Sequence, residues 1–420
     1  MLINDPVVVR VTAKGEPLQM AIATQITKFA YEDSEKEDDM LRVTFADPYH
    51  LLVDSDQFLE NTEWTVQWGF PSKMHPPRKV LVKRPVFRYG EIEIQALDKG
   101  STLKLDENWK VHKKTSPKKI IEDIAQKNKL EADVDEDLGK EVISCFPMGG
   151  RTDFEVLRYL ETRAEDHTFK IQDDKLIFQK RDMSAPPKAT FEYRPGKDSR
   201  LLSFELSIKD QDTAKSSRQT TAVSIDPFTH KKKIFKSDEG TTSVENLGNR
   251  RPTDKYASSF DVKFPGKVLN GGKTSQETQG ESTGRSIILP PKSDNELKAI
   301  AKGKRRKSLL DSCEARFEIV ASPDDPFLKS GDLIQVMGIG KRFSGSYRIL
   351  AITHDLSEGY KYEIEARRNA VGATGKTASN PLNGPKNTKS AISKTKTTIE
   401  KPIKGALNGD TLYGQGGQIV

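Results

Sequence analysis

Residues 326–368, PFLKSGDLIQVMGIGKRFSGSYRILAITHDLSEGYKYEIEARR, decide the fold class. This stretch is predicted to form four short β-strands separated by glycine-centred turns. In its last strand the apolar residues are Tyr360, Tyr362, Ile364 and Ala366, and the charged residues between them are Lys361, Glu363, Glu365 and Arg367. A period of two predicts a sheet with one buried and one solvated face. Such a sheet is typical of a barrel or an assembly surface.

The first hundred residues continue the β pattern. Strands are predicted at 7–11, 20–29, 41–45, 64–68, 79–83 and 91–97. Turn formers such as Asp47 and Pro48 separate these runs. Short strands at this spacing predict a closed or nearly closed barrel, and any edge that stays open is a natural docking site.

The next segment predicts a small α/β domain. Ser116 can cap a helix with Pro117 in its first turn, and the apolar stripe of this helix is Ile120, Ile121, Ile124 and Ala125. A second helix starts near Thr152 or Asp153, and its inner face is predicted to hold Phe154, Leu157, Leu160 and Ala164. Two alternating strands then meet at Asp173 and Asp174 in a tight hairpin.

The rest of the chain returns to β structure after a linker at Pro186 and Pro187. Residues 190–235 alternate, with Leu202, Phe204, Leu206 and Ile208 on one face. Residues 236–292 are polar and are expected to be disordered or ordered only by a partner. Ser293 and Glu296 have capping-box spacing and open a helix of about 294–312. From 371 to 420 the chain has the composition of a flexible tail.

Length and charge set the class of protein. A chain of 420 residues should hold two to four domains. Charged residues are 31 % and the formal net charge is +7. Basic residues concentrate in the tail and in a cluster formed by Lys302 and residues 304–307. Both are interpreted as solvated surface, with docking onto an acidic partner or nucleic acid as the alternative.

The residues that usually carry catalysis do not form a recognisable motif. Cys145 and Cys313 give no disulfide framework or metal spacing, and both are predicted to be buried thiols in a reducing compartment. No two histidines stand at metal-ligand spacing. His354 precedes an aspartate and in principle can act as a base, but a structural or surface role is the preferred interpretation. We therefore expect no catalytic residue, no cofactor site, no metal site and no enzymatic activity.

Targeting and membrane signals are also missing from the sequence. The start, MLINDPVVVRVTAKGE, lacks the basic and apolar regions of a signal peptide, so folding in a cytoplasm is expected. No apolar stretch reaches 18 residues, so membrane insertion by the chain itself is not expected. The basic clusters lack the interleaved aromatic residues of a base-stacking surface.

Taken in order, these segments resemble the phage late control protein D family of baseplate hub proteins, which is related to the hub region of VgrG-type spikes. The matching stretches are IEIQALDKGSTLKL, TDFEVLRYLETRAEDHTFKIQDDKLIF, TTAVSIDPFTHKKKIF and LKSGDLIQVMGIGKRFSGSYRILAITHDLSEGYKYEIEARR. The family-like structural positions are Gly331, Gly338, Gly345, Tyr347, His354, Tyr360 and Arg367.

The resemblance implies a mainly β fold with an α/β insert: two tube-protein-like β-barrels, a small α/β domain and a disordered C-terminal tail. The implied divisions are 1–110 for the first barrel, 111–188 for the α/β domain and 189–370 for the second barrel. The second barrel is interrupted by the polar insertion of about 236–292 and by the helix, and the basic tail follows at 371–420. Strands 91–97 and 360–367 are expected in the barrel walls.

The resemblance also implies a homotrimeric adaptor between a sixfold tail tube and a threefold spike, located in a virion or injection-machine baseplate. Its expected partners are a trimeric spike on a separate chain, the tail tube or a tube-initiator protein, and other baseplate proteins. Nucleic acid is expected only as the genome passing through the lumen. The alternatives left open are a cell-wall-degrading baseplate enzyme and a protein that binds nucleic acid through its basic tail.

Overall fold

The structure is a computed structural model of the whole chain. The described residues are 6–164, 167–194, 199–208, 220–225, 229, 231–237, 247, 262–264, 267–269, 285–289, 294–310 and 313–372. All of the 371–420 tail after Gly372, and most of the 236–292 segment, therefore lie outside the described residues. So does Ser293, the predicted helix cap.

The first segment consists mainly of β-strands. Its elements are β1 (Val8–Ala13), β2 (Glu16–Pro17), α1 (Met20–Ala23), β3 (Ile26–Ser34), β4 (Met40–Asp47), β5 (Glu63–Phe70), β6 (Lys73–Met74), β7 (Arg78–Arg88) and β8 (Gly90–Leu97). The prediction of one strand over 20–29 is wrong, because residues 20–23 form a helical turn and β3 begins only at Ile26. Alanines at 21 and 23 favour helix over strand.

The second segment is the α/β unit. Its elements are β9 (Glu107–Asn108), β10 (Val111–Thr115), α2 (Pro117–Lys127), β11 (Glu131–Val134), β12 (Ile143–Pro147), β13 (Arg151–Thr152), α3 (Asp153–Arg163), β14 (His167–Gln172) and β15 (Lys175–Lys180). Both predicted helices are present: the Ser116 hydroxyl caps α2, and Thr152 caps α3 in a capping box. Asp173 and Asp174 both have positive φ, as the tight hairpin requires.

The third segment returns to strands. Its elements are β16 (Ala189–Glu192), β17 (Leu201–Ile208), β18 (Thr220–Ile225), β19 (Lys232–Ser237), β20 (Val262–Phe264), β21 (Lys267–Leu269), β22 (Arg285–Leu289), α4 (Asp294–Leu310), β23 (Cys313–Val320), β24 (Leu333–Met337), β25 (Gly345–Asp355) and β26 (Lys361–Arg368). Part of the predicted polar insertion is thus ordered, because β22 pairs in parallel with β18.

The stretch 326–368 forms three strands, so the prediction of four is wrong. Gly345 begins β25 instead of separating two strands, and β25 then runs for 11 residues. Its pairing with β26 shifts register between Ile349 and Ala351, which marks a bulge that divides β25 into two parts. Its first part pairs with β24 and its last part with β3.

One sheet contains strands of both the first and the third segments. Its strand order is β17-β23-β26-β25-β3-β4-β8-β7-β5-β1-β2, with β16, β24 and β6 joined at its sides. The link between the segments is the antiparallel pair of β3 and β25. A single apolar core lies on one face of this sheet, and the α/β unit has its own core. The prediction of a mainly β fold with an α/β insert is confirmed, while the domain boundaries stay a prediction.

Two side-chain environments differ from expectation, those of Cys145 and Arg305. Cys313 is buried, which raises the pKa of its thiol to about 11, but Cys145 is exposed on the short β12 strand. Arg305, in the basic cluster predicted to be solvated, is fully buried. Among the described residues, no helix is both long and apolar enough to cross a membrane.

Candidate assembly surface

The strand that carries the sequence prediction has the expected two faces. Tyr360, just before β26, and Tyr362, Ile364 and Ala366 within it are buried. Glu363 and Glu365 are exposed on the other face, and Lys361 and Arg367 are half-buried there. The alternating strand is therefore one wall of a sheet whose second face is polar.

The polar face extends across neighbouring strands in register. One row joins Ser203 (β17), Glu318 (β23), Glu363 (β26), Thr353 (β25) and Glu32 (β3). The row beside it joins Glu205, Arg316, Glu365, Ala351 and Ser34. Since opposite positions in a sheet share a face, these positions lie on one face of the sheet, which we call the polar face. Its side chains are polar except at Ala351, and Ser34 at its β3 end is buried.

The charges of the polar face are partly paired. Arg316 lies 3.0 Å from Glu365, Arg367 lies 2.7 Å from Glu314, and Lys361 lies 3.3 Å from Glu318. Burial raises the pKa of Glu32, and the nearby Glu365 and Glu37 add to this. Pairs at such a solvated surface contribute only about 0–1 kcal/mol each. The polar face thus keeps the sheet hydrated, and its charges are available for contacts with a partner.

Among the strand edges of the sheet that lack a neighbour in the described part of the chain, two belong to β17 and to one part of β7. At one end β17 pairs only with β23. On the other side, β7 pairs with β5 as far as Leu81, and Val82 still exchanges backbone hydrogen bonds with Asn61 and Thr62. Only beyond Val82 is β7 paired with β8 alone. Pro85 lies in this open part of β7, and proline within a sheet is confined to such edges because it has no N–H to donate.

Apolar side chains are exposed along both open edges. Leu202 and Phe204 of β17 are 46 % and 39 % exposed, and Phe87 of β7 is 44 % exposed. Phe204 pairs with Phe317 and Phe87 pairs with Ile92, so both project on the core side of the sheet. At each edge, apolar side chains on the core side of the sheet are therefore left exposed to solvent.

Three family-like glycines occupy conformations that a side chain would strain. Gly338 has φ +81°, and a Cβ there would collide with the carbonyl oxygen of Tyr193. Gly345 has φ +145°, and its Cβ would lie 2.8 Å from Arg368 Nη2. Gly331 also has positive φ, at +89°. These three positions shape the turns around β24 and the start of β25.

Tyr347 packs against an arginine that the sequence interpretation missed. Arg368 is fully buried, with its guanidinium 4.9 Å from the centre of the Tyr347 ring. It donates hydrogen bonds of 2.8 Å to the carbonyl oxygens of Phe343, Leu247 and Gly372. Arg367, the family-like position, lies instead on the polar face. Arg368 ties the end of the sheet to two flanking segments of the chain.

His354 lies inside the core, in an aromatic cluster. It is 2 % exposed, its Nδ1 is 2.9 Å from the Tyr360 hydroxyl, and its ring is 5.3 Å from that of His75. Burial lowers the pKa of His354 to about 3 and that of His75 to about 4, so both rings are neutral. This buried, aromatic environment is typical of a structural histidine. No group of residues suited to hold a metal ion occurs in the described part of the chain.

A buried ion cluster joins the sheet to the α/β unit. Lys170 of β14 is paired with Asp33 and lies 3.2 Å from Asp39 Oδ1. Burial raises the pKa of Asp39 to about 7, whereas Lys170 and Ser330 overcome the effect of burial at Asp33 and lower its pKa. Nearby, Arg78 pairs with Asp173 at 2.7 Å. These contacts fix the α/β unit against the sheet.

Comparison with solved structures shows a shared fold. The 43 kDa tail protein of prophage MuSo2 from Shewanella oneidensis has a TM-score of 0.59 at 11 % identity, over 87 % of this chain and 100 % of that one. A tail protein from Neisseria meningitidis MC58 has 0.58 at 12 %, over 86 % and 97 %. Prophage tail protein gp18 from Listeria monocytogenes EGD-e has 0.51 at 12 %, over 86 % and 95 %.

Sequence comparison adds one family. The model of the Alg8 N-terminal domain matches residues 86–358, which include β8, the α/β unit and most of the third segment. No curated protein matches the sequence.

Proposed function

This chain belongs to the Alg8 N-terminal domain family, and from the fold that it shares with phage tail proteins we propose that it is a structural hub of a contractile tail or related injection machine. In this proposal it is a homotrimer that joins a sixfold tube to a threefold spike carried on a separate chain. It resides in the baseplate, contacts the tube or a tube initiator and other baseplate proteins, and is not an enzyme.

The observation that carries the proposal is a run of eight strands within the larger sheet, with a polar face, one open edge at β17 and another along the part of β7 beyond Val82, where β5 no longer pairs with it. These strands are β17, β23, β26, β25, β3, β4, β8 and β7. The β3–β25 pair divides the run into two sets of four, one from the first segment and one from the third. Two similar four-strand units per chain allow three copies to present six units, which is the symmetry match that a hub requires.

Pairing of the β17 edge of one copy with the β7 edge of the next would close a ring. Three copies would supply about 24 strands, and a spacing of about 4.8 Å gives a ring of about 18 Å radius before strand tilt widens it. Barrels of 16–18 strands already enclose an aqueous channel. The uncovered side chains of Phe204 and Phe87 would then be buried between copies, and the polar face would remain in water.

Thiol crosslinking tests this arrangement directly. In a Cys145→Ser background, which removes the exposed native thiol, Phe204→Cys and Phe87→Cys are combined and treated with a short bismaleimide. We expect dimer and trimer bands with no larger product. The matched control replaces Phe87→Cys with Leu105→Cys, since Leu105 is 72 % exposed but lies outside either edge.

Mass measurement of the purified protein provides the independent readout. We expect a trimer, alone or after addition of the trimeric spike protein. A chain that stays monomeric in both conditions would overturn the hub proposal. Lysis in a peptidoglycan zymogram would instead support an enzymatic role and contradict the structural one.

A further inference from the structure

A cavity of about 250 Å³ lies where α3 faces the sheet. Its wall includes Glu35, Arg158, Glu161, Arg181, Met183 and Arg348, and we call it the arginine cavity. Arg158 and Glu161 are on α3, Arg181 follows β15, Arg348 is on β25, and Glu35 follows β3. Three parts of the chain therefore bring charged groups to one small space.

The arginines of this cavity outnumber its carboxylates. Arg348 lies 2.9 Å from Glu35 and Arg181 lies 3.0 Å from it. Arg181 is also 3.1 Å from Glu161, which is 2.8 Å from Arg158. Three guanidinium groups thus share two carboxylates. Lys36 and Arg367 also line the wall, and the charge of Arg367 is paired with Glu314 at 2.7 Å.

The ionisation of the lining groups reflects this excess. Burial lowers the pKa of Arg348, and this outweighs the neighbouring Glu35 carboxylate, which raises it. At Glu35 the balance is reversed: Arg348 and Arg181 overcome the effect of burial and lower its pKa to about 2. The Arg348 side chain is 9 % exposed, and its buried Nε and the buried Oε2 of Glu35 have no hydrogen-bond partner among the described residues. The reason that the cavity favours additional negative charge is the excess of three guanidinium groups over two carboxylates.

We propose that the arginine cavity binds a small oxyanion, with phosphate as the best-matched chemistry. Planar guanidinium groups hold the tetrahedral oxygens of phosphate in pairs of hydrogen bonds, and they are the usual choice for this ligand. The volume lies below the range of about 300–1,000 Å³ typical of drug-sized ligands, so it suits an ion with water better than a nucleoside. An anion bound there would join α3, β25 and the residues after β3 through one shared ligand.

Replacement of Met183 tests the site without removing any of its ion pairs. Met183→Glu places a carboxylate in the cavity wall, and Met183→Gln places a neutral group of the same shape. Binding of inorganic phosphate to the full chain is measured by calorimetry, and the thermal midpoint is measured in phosphate against chloride at equal ionic strength. We expect wild type and Met183→Gln to bind phosphate with a dissociation constant on the order of 1 mM, and Met183→Glu to bind at least about tenfold more weakly.

Two results would overturn the proposal. One is the absence of phosphate binding to the wild type at up to about 20 mM. The other is equal binding by Met183→Glu and Met183→Gln, which would locate the anion elsewhere, for example on surface lysines. Neither result affects the trimer measurement, so this site and the hub proposal fail separately.

Discussion

Replacing Lys170 with methionine tests the junction between the α/β unit and the sheet. The Lys170 ammonium pairs with Asp33, lies 3.2 Å from Asp39 Oδ1 and donates a 2.9 Å hydrogen bond to the Ser330 hydroxyl. The side chains of Asp33 and Asp39 are each 2 % exposed. Methionine has similar length but no charge, so the substitution leaves buried carboxylates without their cation. Breaking a buried pair in this way costs about 3–5 kcal/mol of the free energy of unfolding.

The lower end of that range is expected at pH 7. Burial already raises the pKa of Asp39 to about 7, so this carboxyl takes up a proton once Lys170 is gone. Most of the cost then comes from Asp33, whose pKa is lowered by Lys170 and Ser330. We therefore expect a loss of about 3 kcal/mol for Lys170→Met. Lys175→Met is the matched control, because Lys175 and its partner Glu131 are 50 % and 68 % exposed, and it should cost about 0–1 kcal/mol.

Urea unfolding followed by circular dichroism and tryptophan fluorescence measures both variants. If the α/β unit unfolds in a separate transition, hydrogen exchange of the α2 and α3 amides reports the same difference locally. The deficit of Lys170→Met should shrink between pH 7 and pH 5 as the remaining carboxyls become protonated. Equal losses for the two variants, or a loss below about 1 kcal/mol for Lys170→Met, would refute the account of the junction.

Three further predictions concern single residues. The pKa of Asp39 in the folded protein, about 7, exceeds its ordinary value of 3.8, so the free energy of unfolding rises as the pH falls from about 7 to about 4. Asp39→Asn should reduce this rise, measured by urea unfolding at pH 7.5 and 5.5. An unchanged pH dependence would count against the raised pKa. The pKa of His354 in the folded protein, about 3, lies below its ordinary value of 6.5, so the free energy of unfolding falls as the pH drops below about 6.5. His354→Gln should lessen this loss. A steeper loss in the variant would contradict a buried neutral ring. Gly338→Ala should lower the free energy of unfolding by at least about 1 kcal/mol more than Gly340→Ala. Both glycines have positive φ, but only a Cβ at position 338 would collide with backbone atoms. Equal thermal midpoints for the two variants would refute the steric argument.

Local patterns predicted the elements of the fold well. The period of two in β26 gave the correct buried face, and the caps at Ser116 and Thr152 gave both helix starts. The same period also held the signal for Arg368, which continues the buried series of Tyr362, Ile364 and Ala366. The family resemblance instead marked Arg367 as a structural position, although the alternation of β26 places Arg367 on the polar face.

Long-range pairings were not readable from the sequence. A period of two says which side chains share a face, but it does not say which strand lies beside which. The pairing of β3 with β25 brings together residues more than 300 positions apart in the chain. For the same reason the approach of Lys170 to Asp33 and Asp39 left no local pattern. Charged residues in alternating strands are normally solvated, so their burial here depends on contacts between segments.

The turn after β3 is the point where the three segments of the chain meet. Asp33 and Asp39 receive Lys170 from the α/β unit, while Glu35 receives both Arg181 from that unit and Arg348 from β25. The open edges at β17 and β7 do not take part in these contacts.

Folding and assembly should therefore respond to different substitutions. Variants in the turn should unfold at lower urea concentrations but still crosslink as trimers once folded. Variants with a charged residue in place of Phe204 or Phe87 should unfold at the same urea concentration as the wild type and fail to assemble. If the turn variants lost assembly without losing stability, the subunit contacts would have to lie at the junction and not at the strand edges.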